Sequence, residues 1–428
     1  MIYNVIGAGI TGITFARVKA EEGHQVRIWE SSRHIGGNLR DELDPTGTFF
    51  VHLHGPHLFH TNSDKVMQFL ERFSTWVPYQ HRVVGTSRDL DRCSRTVFPV
   101  PYGPQSAAAT LNRTMTEVDA AFQLMRETFN RDRVTLRELD TLKSDLPILN
   151  EIKEFVTETV FGTYSKKMWN VSSLDDLPDG ILNRVPIALN GDDRYFTDRY
   201  QCLPLDGYSN MIDRMVAHPN ITIHRECAVN DSVSSAWEDN SRVFCTAPID
   251  EFFENRFGRL PYRGILFSRS THTGPVSSST KFNGAATMNF LDSRPTTRVT
   301  SMRSINDQSR VRFGEMAEQD SPDIHITETP IEGAPGSYHY PIPSQENRDL
   351  WAQYENLLTR RPNLRFGGRL GSYQYLNIDA ACAQAMSIAR QFWHHDHQSK
   401  TPSYLFPQSQ GCGIRCSSGD GPSARPSH

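Results

Sequence analysis

The 428-residue chain has no run of about 18 apolar residues, so nothing in it reads as a membrane-spanning helix. It lacks a strong charge of either sign. With 45 Lys and Arg against 49 Asp and Glu, the net charge of −4 excludes a global basic field for nucleic acid or an anionic membrane. An anionic small molecule would have to be met by a few placed arginines. Cysteine is sparse and odd in number: Cys93, Cys202, Cys227, Cys245, Cys382, Cys412 and Cys416 are scattered, which suits reduced thiols rather than a disulfide framework. The tail CGIRC has one residue too many between its cysteines for a C-x-x-C redox motif. The opening MIYNVIGAGITG has neither the basic region nor the apolar core of a signal peptide, and the expectation is a cytoplasmic protein. No internal repeat is visible.

Histidine, by contrast, is concentrated. VHLHGPHLFH puts His52, His54, His57 and His60 inside ten positions. A metal site of this kind recruits a carboxylate or thiolate and further groups that orient its ligands by hydrogen bonds, and none stands nearby in sequence, so no metal is expected. HHDH at 394–397 reads as a solvated helix end.

The first forty residues carry the strongest local pattern. A short apolar strand (Ile2 to Ile6) runs into Gly7-x-Gly9-x-x-Gly12, a helix-like segment, and a second strand (Gln25 to Trp29) ending in Glu30. In this order each glycine has a role. Gly7 allows the tight turn, Gly9 lets backbone approach a pyrophosphate, and Gly12 lets helix and strand pack closely. The helix N-terminus offers unpaired N–H groups to phosphates, and Glu30 is placed to accept from ribose hydroxyls. RHIGGN (Arg33 to Asn38), with Gly37 and Asn38, resembles an extended flavoprotein fingerprint and favours FAD over NAD.

Further along, 62–75 and 115–160 read as helical, with Val118, Ala121, Phe122 and Met125 at helical spacing. VFPVPYGPQS (97–106) is too proline-rich for a central strand. The polar stretch 172–186 reads as a loop, and 220–300 as short strands. The stretch 303–335 is polar and poor in large apolar residues. Residues 363–393 return to strand, glycine turn and amphipathic helix. Beyond about 397 the Ser/Gly/Pro composition reads as disordered.

Taken together, GAGITG, RHIGGN, HGPHLFHT, KKMW, RVP, DDRYFTDRYQ, LPYR, TTR, YHYPIP and FGGRLGSYQYLNID resemble, in order, the motifs of UDP-galactopyranose mutases, from about residue 1 to 395. The resemblance implies an α/β fold: a Rossmann-like FAD-binding domain assembled from 1–80, 195–245 and 335–397. Inserted in it would be a helical substrate domain at 105–185, with a mobile loop near 172–185, and an antiparallel β-sheet domain at 81–104 and 246–334. It implies an isomerase acting on a nucleotide-diphosphate sugar and requiring reduced FAD, with NAD(P)H or dithionite as reductant. The flavin N5 would attack the anomeric carbon, and the flavin–sugar adduct would let the ring open and reclose as the furanose. Nucleic acid and membrane insertion are not implied, and a homodimer is left open.

Residue by residue, Arg184 in NRVP and Arg298 in TTR match the family's two diphosphate arginines. Tyr195, Tyr340 and Tyr375 match tyrosines that hold the diphosphate. Trp169 and Asn289 match residues beside the sugar. His60 and the backbone of Gly55 match the segment next to the flavin, His57 and His52 match family histidines, and Arg369 matches a cofactor-side arginine. Arg263 also falls on a family arginine.

The departures read as clustering on the nucleotide side. The paired aromatics before the uracil-stacking tyrosine become Val160-Phe161, with Tyr164 kept. Thr297 replaces a tyrosine, TSMR (Thr300 to Arg303) replaces an acidic-His-Lys run, and Ala188 replaces an arginine. His81 replaces an asparagine, while His54 and His339 replace tyrosines. Asn377 replaces an aspartate near the flavin. UDP-galactopyranose is the family default. The volume lost at Val160 makes GDP-galactopyranose the leading alternative, with a dTDP-sugar behind it. A different class sharing the same dinucleotide domain is an FAD-dependent oxidoreductase.

Overall fold

The N-terminal strand Ile2–Ile6 is the middle of a five-stranded sheet in the order Ile221–His224, Gln25–Trp29, Ile2–Ile6, Arg242–Cys245, Leu364–Phe366. Every pairing is parallel. Parallel strands need crossovers and covered faces, so the central runs are almost wholly apolar. Val5, Ile28, Val243 and Phe244 have no exposed surface. The helix Ile10–Glu21 crosses over this sheet, and its Phe15 stacks on Phe244 at 4.3 Å. The computed structural model describes residues 1–89, 94–237, 241–272, 282–306, 311–312 and 322–391. Cys93, Cys412, Cys416, HHDH and the tail from 398 lie outside them.

A second sheet has seven strands, ordered Tyr338–Pro341, Tyr262–His272, Asp323–Glu332, Arg298–Ser301, Thr287–Phe290, Val83–Asp89, Ser94–Val100. It is antiparallel except where Thr287–Phe290 runs parallel to Val83–Asp89. The expected antiparallel sheet is therefore mixed. Tyr338–Pro341, within the range read as cofactor domain, is paired into it. Ser94–Val100 is an edge strand, and this is how Pro99 is tolerated.

The helical insertion runs from Pro104–Leu111 through Met115–Phe129, Leu136–Thr141 and Pro147–Phe155 to a π-helical turn, Val156–Thr163, and Tyr164–Trp169. The helix expected over 115–160 is thus broken. Asn130 terminates its first part in the left-handed conformation. A second capping box, Thr135 with Glu138, then starts a new helix, repeating the Thr114–Glu117 box at Met115–Phe129. Val118, Phe122, Met125, Leu139, Leu149 and Ile152 form the fully buried core of this insertion. Each such side chain contributes roughly 1.5–3 kcal/mol on burial. The stretch 172–186 holds two short helical turns, Leu174–Asp176 and Asp179–Leu182.

Candidate active site

At the C-terminal ends of the parallel strands lies a cavity of about 660 Å³ lined by Gly7, Gly9, Glu30, Gly37, Asn38, Arg40, His54, His57, His339, Gly368, Arg369 and Asn377, among others. Ligands of open α/β sheets bind in this crevice. The glycines there differ in what they do. Gly7 has φ +96°, and a Cβ would meet Thr246 Oγ1 at 2.2 Å. A Cβ on Gly12 would meet the Gly7 carbonyl oxygen at 2.1 Å, so Gly12 serves packing under the cavity rather than its lining. A Cβ on Gly9, the residue preceding the helix Ile10–Glu21, would meet nothing within 4 Å. Gly37 packs on Gly9, its Cβ position 3.2 Å from Gly9 Cα. The carboxylate of Glu30 accepts from Ala8 N and from Ser32 N, both at 2.8 Å, which fixes its orientation at the strand end. Arg369 donates to the carbonyls of Leu376 (2.6 Å) and His339 (3.1 Å).

The four clustered histidines do not converge. The backbone N–H of His57 donates to His52 Nδ1 (3.0 Å), and His57 Nδ1 donates to the Gly55 carbonyl (2.9 Å). Burial holds the His57 imidazole well below its usual range. His54 and His57 line the cavity. His60 does not. Its ring stacks on Phe196 at 3.8 Å and its Nδ1 is 2.8 Å from Asp198 Oδ2, while Asn62 Nδ2 donates to Asp198 Oδ1.

The second sheet supplies the other half of the site by register. Phe267, Glu328, Arg298, Asn289 and Gly85 are successive partners across five strands, so their side-chain positions share one face. Arg298 Nε lies 2.8 Å from Glu328 Oε1, and the Glu328 residue is 3% exposed. Gly55, at φ +79°, sits over this row, and a Cβ there would lie 2.8 Å from Phe267 Cε1 and 3.0 Å from Glu328 Oε1. Asn289 is buried and its Oδ1 has no partner.

Arginine and phenol groups gather around this row. Arg184 Cζ lies 3.9 Å from the centre of the Tyr375 ring, which stacks on Tyr340 at 5.2 Å. Arg369 Cζ lies 4.9 Å from the Tyr340 ring centre and 5.1 Å from that of Tyr375. Trp169 meets Tyr340 edge to face at 5.9 Å. Burial alone would raise the Tyr375 phenol, but Arg184, Arg369 and Arg298 bring it below its usual value. Burial pushes Tyr340 up to about 12 and raises Tyr164 as well. Burial opposes the charge on Arg184, but the phenols of Tyr375, Tyr195, Tyr340 and Tyr164 outweigh it and hold the guanidinium charged. Glu328 offsets Arg298, whereas Arg184 faces phenols and Arg369 faces carbonyls. Such a cluster has net positive charge and suits an anion.

The elements around the cluster explain its placement. Leu174, Leu177 and Leu182 of the 172–186 stretch pack with Trp169, and this brings Arg184 over Tyr375. Lys167 Nζ donates to the carbonyls of Phe290 (2.9 Å), Asp292 (3.3 Å) and Thr296 (2.9 Å), tying the Trp169 helix to the loop before Arg298. Arg263 Nε donates to the Met168 carbonyl at 2.9 Å on the same helix, a positioning contact. Tyr195 meets His81 edge to face at 5.7 Å. Burial and then Arg298 push His81 down to about 3, so it is neutral.

Val160 and Phe161 are buried in the core of the helical insertion, with Tyr164 and Tyr195 packed against it. The departures do not all lie on one side. His54, His339 and Asn377 line the dinucleotide cavity. Thr297 is buried and donates to the Glu328 carbonyl, Thr300 bonds Thr287, and Ala188 is buried against the Tyr102 carbonyl. His81 lies within the influence of Arg298, and Val160 sits in the helical core against which Tyr164 and Tyr195 pack. Sequence reasoning missed Glu328 and Asp198. Glu328 has no local signal, since strand register brings it to Arg298, whereas Asp198 stands within the DDRYFTDRYQ motif and meets His60 beside the pairing of Gln201 with His60.

A family model described as UDP-galactopyranose mutase matches residues 159–375, and one described as an NAD(P)-binding Rossmann-like domain matches 5–73. The chain is 30% identical to a probable UDP-galactopyranose mutase of Klebsiella pneumoniae, over 94% of this chain and 98% of that one. It is 27% identical to a dTDP-fucopyranose mutase of Escherichia coli over 90% and 97%. In fold it is similar to a crystal structure of reduced UDP-galactopyranose mutase, with a TM-score of 0.62 at 15% identity over 90% and 92% of the two chains. With one family model over half its length and relatives matched almost end to end, the chain belongs to the UDP-galactopyranose mutase family.

Proposed function

We propose that the protein is a flavin-dependent nucleotide-sugar mutase that interconverts an NDP-galactopyranose and its furanose, with UDP-galactopyranose as the first substrate. The observation that carries this reading is the pair Arg184 and Arg298, ringed by four tyrosines, sharing a wall with the dinucleotide cavity. That wall is the strand Tyr338–Pro341, where His339 lines the cavity and Tyr340 joins the cluster. The fit to FAD rests on the open space over Gly9, on Glu30 at the strand end and on Arg369 between cavity and cluster. When bound and reduced, FAD supplies a nucleophilic ring nitrogen for the anomeric carbon.

The chain's own residues then do the rest. Arg184 and Arg298 hold the diphosphate and stabilise the charge it develops on leaving. The hydroxyls of Tyr164, Tyr195, Tyr340 and Tyr375 donate to it. Asn289 Oδ1, buried without a partner, accepts from a sugar hydroxyl. Trp169 and the 172–186 stretch exclude water from the reacting centre. His60, held by Asp198, lies one ring away from His81 through Phe196.

A dTDP-sugar is a second reading, supported by the dTDP-fucopyranose mutase among the relatives. The test is anaerobic: dithionite-reduced protein with equal UDP-galactopyranose, GDP-galactopyranose and dTDP-fucopyranose, products resolved by chromatography. Furanose formation from any of them supports mutase chemistry and names the base. No isomer in that assay, with oxygen-dependent substrate loss and peroxide in a parallel aerobic assay of the oxidised protein, would assign an oxidoreductase.

A further inference from the structure

His339 is 7% exposed and lines the dinucleotide cavity, yet its Nε2 has no hydrogen-bond partner. Its other nitrogen fixes the tautomer. Nδ1 lies 2.8 Å from the carbonyl of Ser337, and a carbonyl only accepts, so Nδ1 carries the proton and Nε2 carries a lone pair. The rings around it, Phe267 at 5.2 Å, His54 at 6.2 Å and Tyr340 at 6.3 Å, supply no bond to that lone pair. Burial, the largest influence, brings the imidazole down to about 4, which keeps it neutral and the lone pair free. A buried acceptor without a partner is costly, and the wall that it occupies belongs to the cavity.

We propose that His339 Nε2 is an acceptor for an N–H or O–H of the dinucleotide bound in this cavity. The inference rests on the FAD reading above and goes beyond it by assigning a contact at the end of the cavity next to the arginine cluster. That end is identified by the strand itself. His339 lines the dinucleotide cavity, while Tyr340, the next residue, stacks with Tyr375. The group presented there is the flavin ring, which has N–H donors, rather than the adenine end near Glu30.

The experiment uses full-length protein freed of flavin and titrated with FAD, following flavin fluorescence and the melting temperature. His339→Phe keeps a ring and removes the acceptor; His339→Gln restores an acceptor oxygen. Expected is a loss of FAD affinity of about fivefold in His339→Phe, with a smaller FAD-induced rise in melting temperature, and near wild-type affinity in His339→Gln. In the wild-type protein the 15N resonance of His339 Nε2 moves upfield when FAD is added, a change that a purely structural residue would not show. Equal FAD affinity in His339→Phe and wild type, or a fixed Nε2 resonance, overturns the assignment. Failure of wild-type protein to bind FAD at all would instead overturn the flavin reading on which it rests.

Discussion

Replacing Glu328 by Gln tests the row across the second sheet. Glu328 is 3% exposed and its Oε1 lies 2.8 Å from Arg298 Nε. Removing one partner of a buried ion pair costs about 3–5 kcal/mol, because the other charge is left without compensation. The Arg298 side chain keeps 26% of its surface exposed, which argues for the lower end, about 3 kcal/mol. For 428 residues the entropy of unfolding is roughly 0.9 kcal/mol/K, so the melting temperature should fall by about 3 °C. The variant also leaves a guanidinium seeking an anion. UDP should therefore raise its melting temperature by more than it raises that of the wild type. Differential scanning fluorimetry with and without UDP reads both effects, and a cycle with Arg298→Met isolates the pair, with a coupling of about 1–3 kcal/mol. A variant melting with the wild type, or UDP shifts equal in the two proteins, would refute the claim that Glu328 is the counter-charge of Arg298.

Other outcomes follow from single positions. Gly9→Val should leave the melting temperature of flavin-free protein unchanged, because its side chain enters open space, while FAD binding measured by fluorescence is lost. Gly12→Ala should instead destabilise by about 1–3 kcal/mol, its Cβ being forced against the Gly7 carbonyl. His81, held down to about 3 by burial and Arg298, binds a proton in the unfolded chain before it does in the folded one. Stability is present above pH 6.5 and is lost as pH falls toward 3. His81→Asn should therefore reduce the stability lost between pH 6.5 and 5 by about 2 kcal/mol in urea unfolding. Val160→Phe should shift substrate preference toward uridine nucleotides; an unchanged ratio of kcat/KM between UDP- and GDP-galactopyranose would remove Val160 from the base site.

The N-terminal unit was legible because its chemistry is local: strand, three glycines, helix, strand and acid fall within thirty residues. Each glycine has a distinct steric reason that the spacing already implies. The second sheet was legible only as short β-like runs. Its order brings 83–100 beside 287–290 and 338–341 beside 262–272, pairings that loop lengths and alternation do not specify. Arg298 and Asn289 could be named from short motifs. Glu328, in the unremarkable run IHITETPIE, could not, since only register makes it the neighbour of Arg298. The same limit explains the break in the 115–160 helix. Its Thr-x-x-Glu boxes are visible in the sequence, but continuous apolar periodicity outweighed them.

Register also changes what the departures from the family pattern mean. Read along the chain, His339 belongs with Tyr340, and both look like substrate residues. In the fold the two have different surroundings: His339 lines the dinucleotide cavity and meets Phe267, while Tyr340 stacks on Tyr375 beside the arginines. His54 lies in ring contact with His339 on that same wall, 6.2 Å away, although the two are far apart in sequence. Two positions read as tyrosine in the family thus change to imidazole together, at one place in the fold. With Thr297, Thr300 and Ala188 accounted for by packing, the case for a rebuilt base pocket narrows to Val160 and His81.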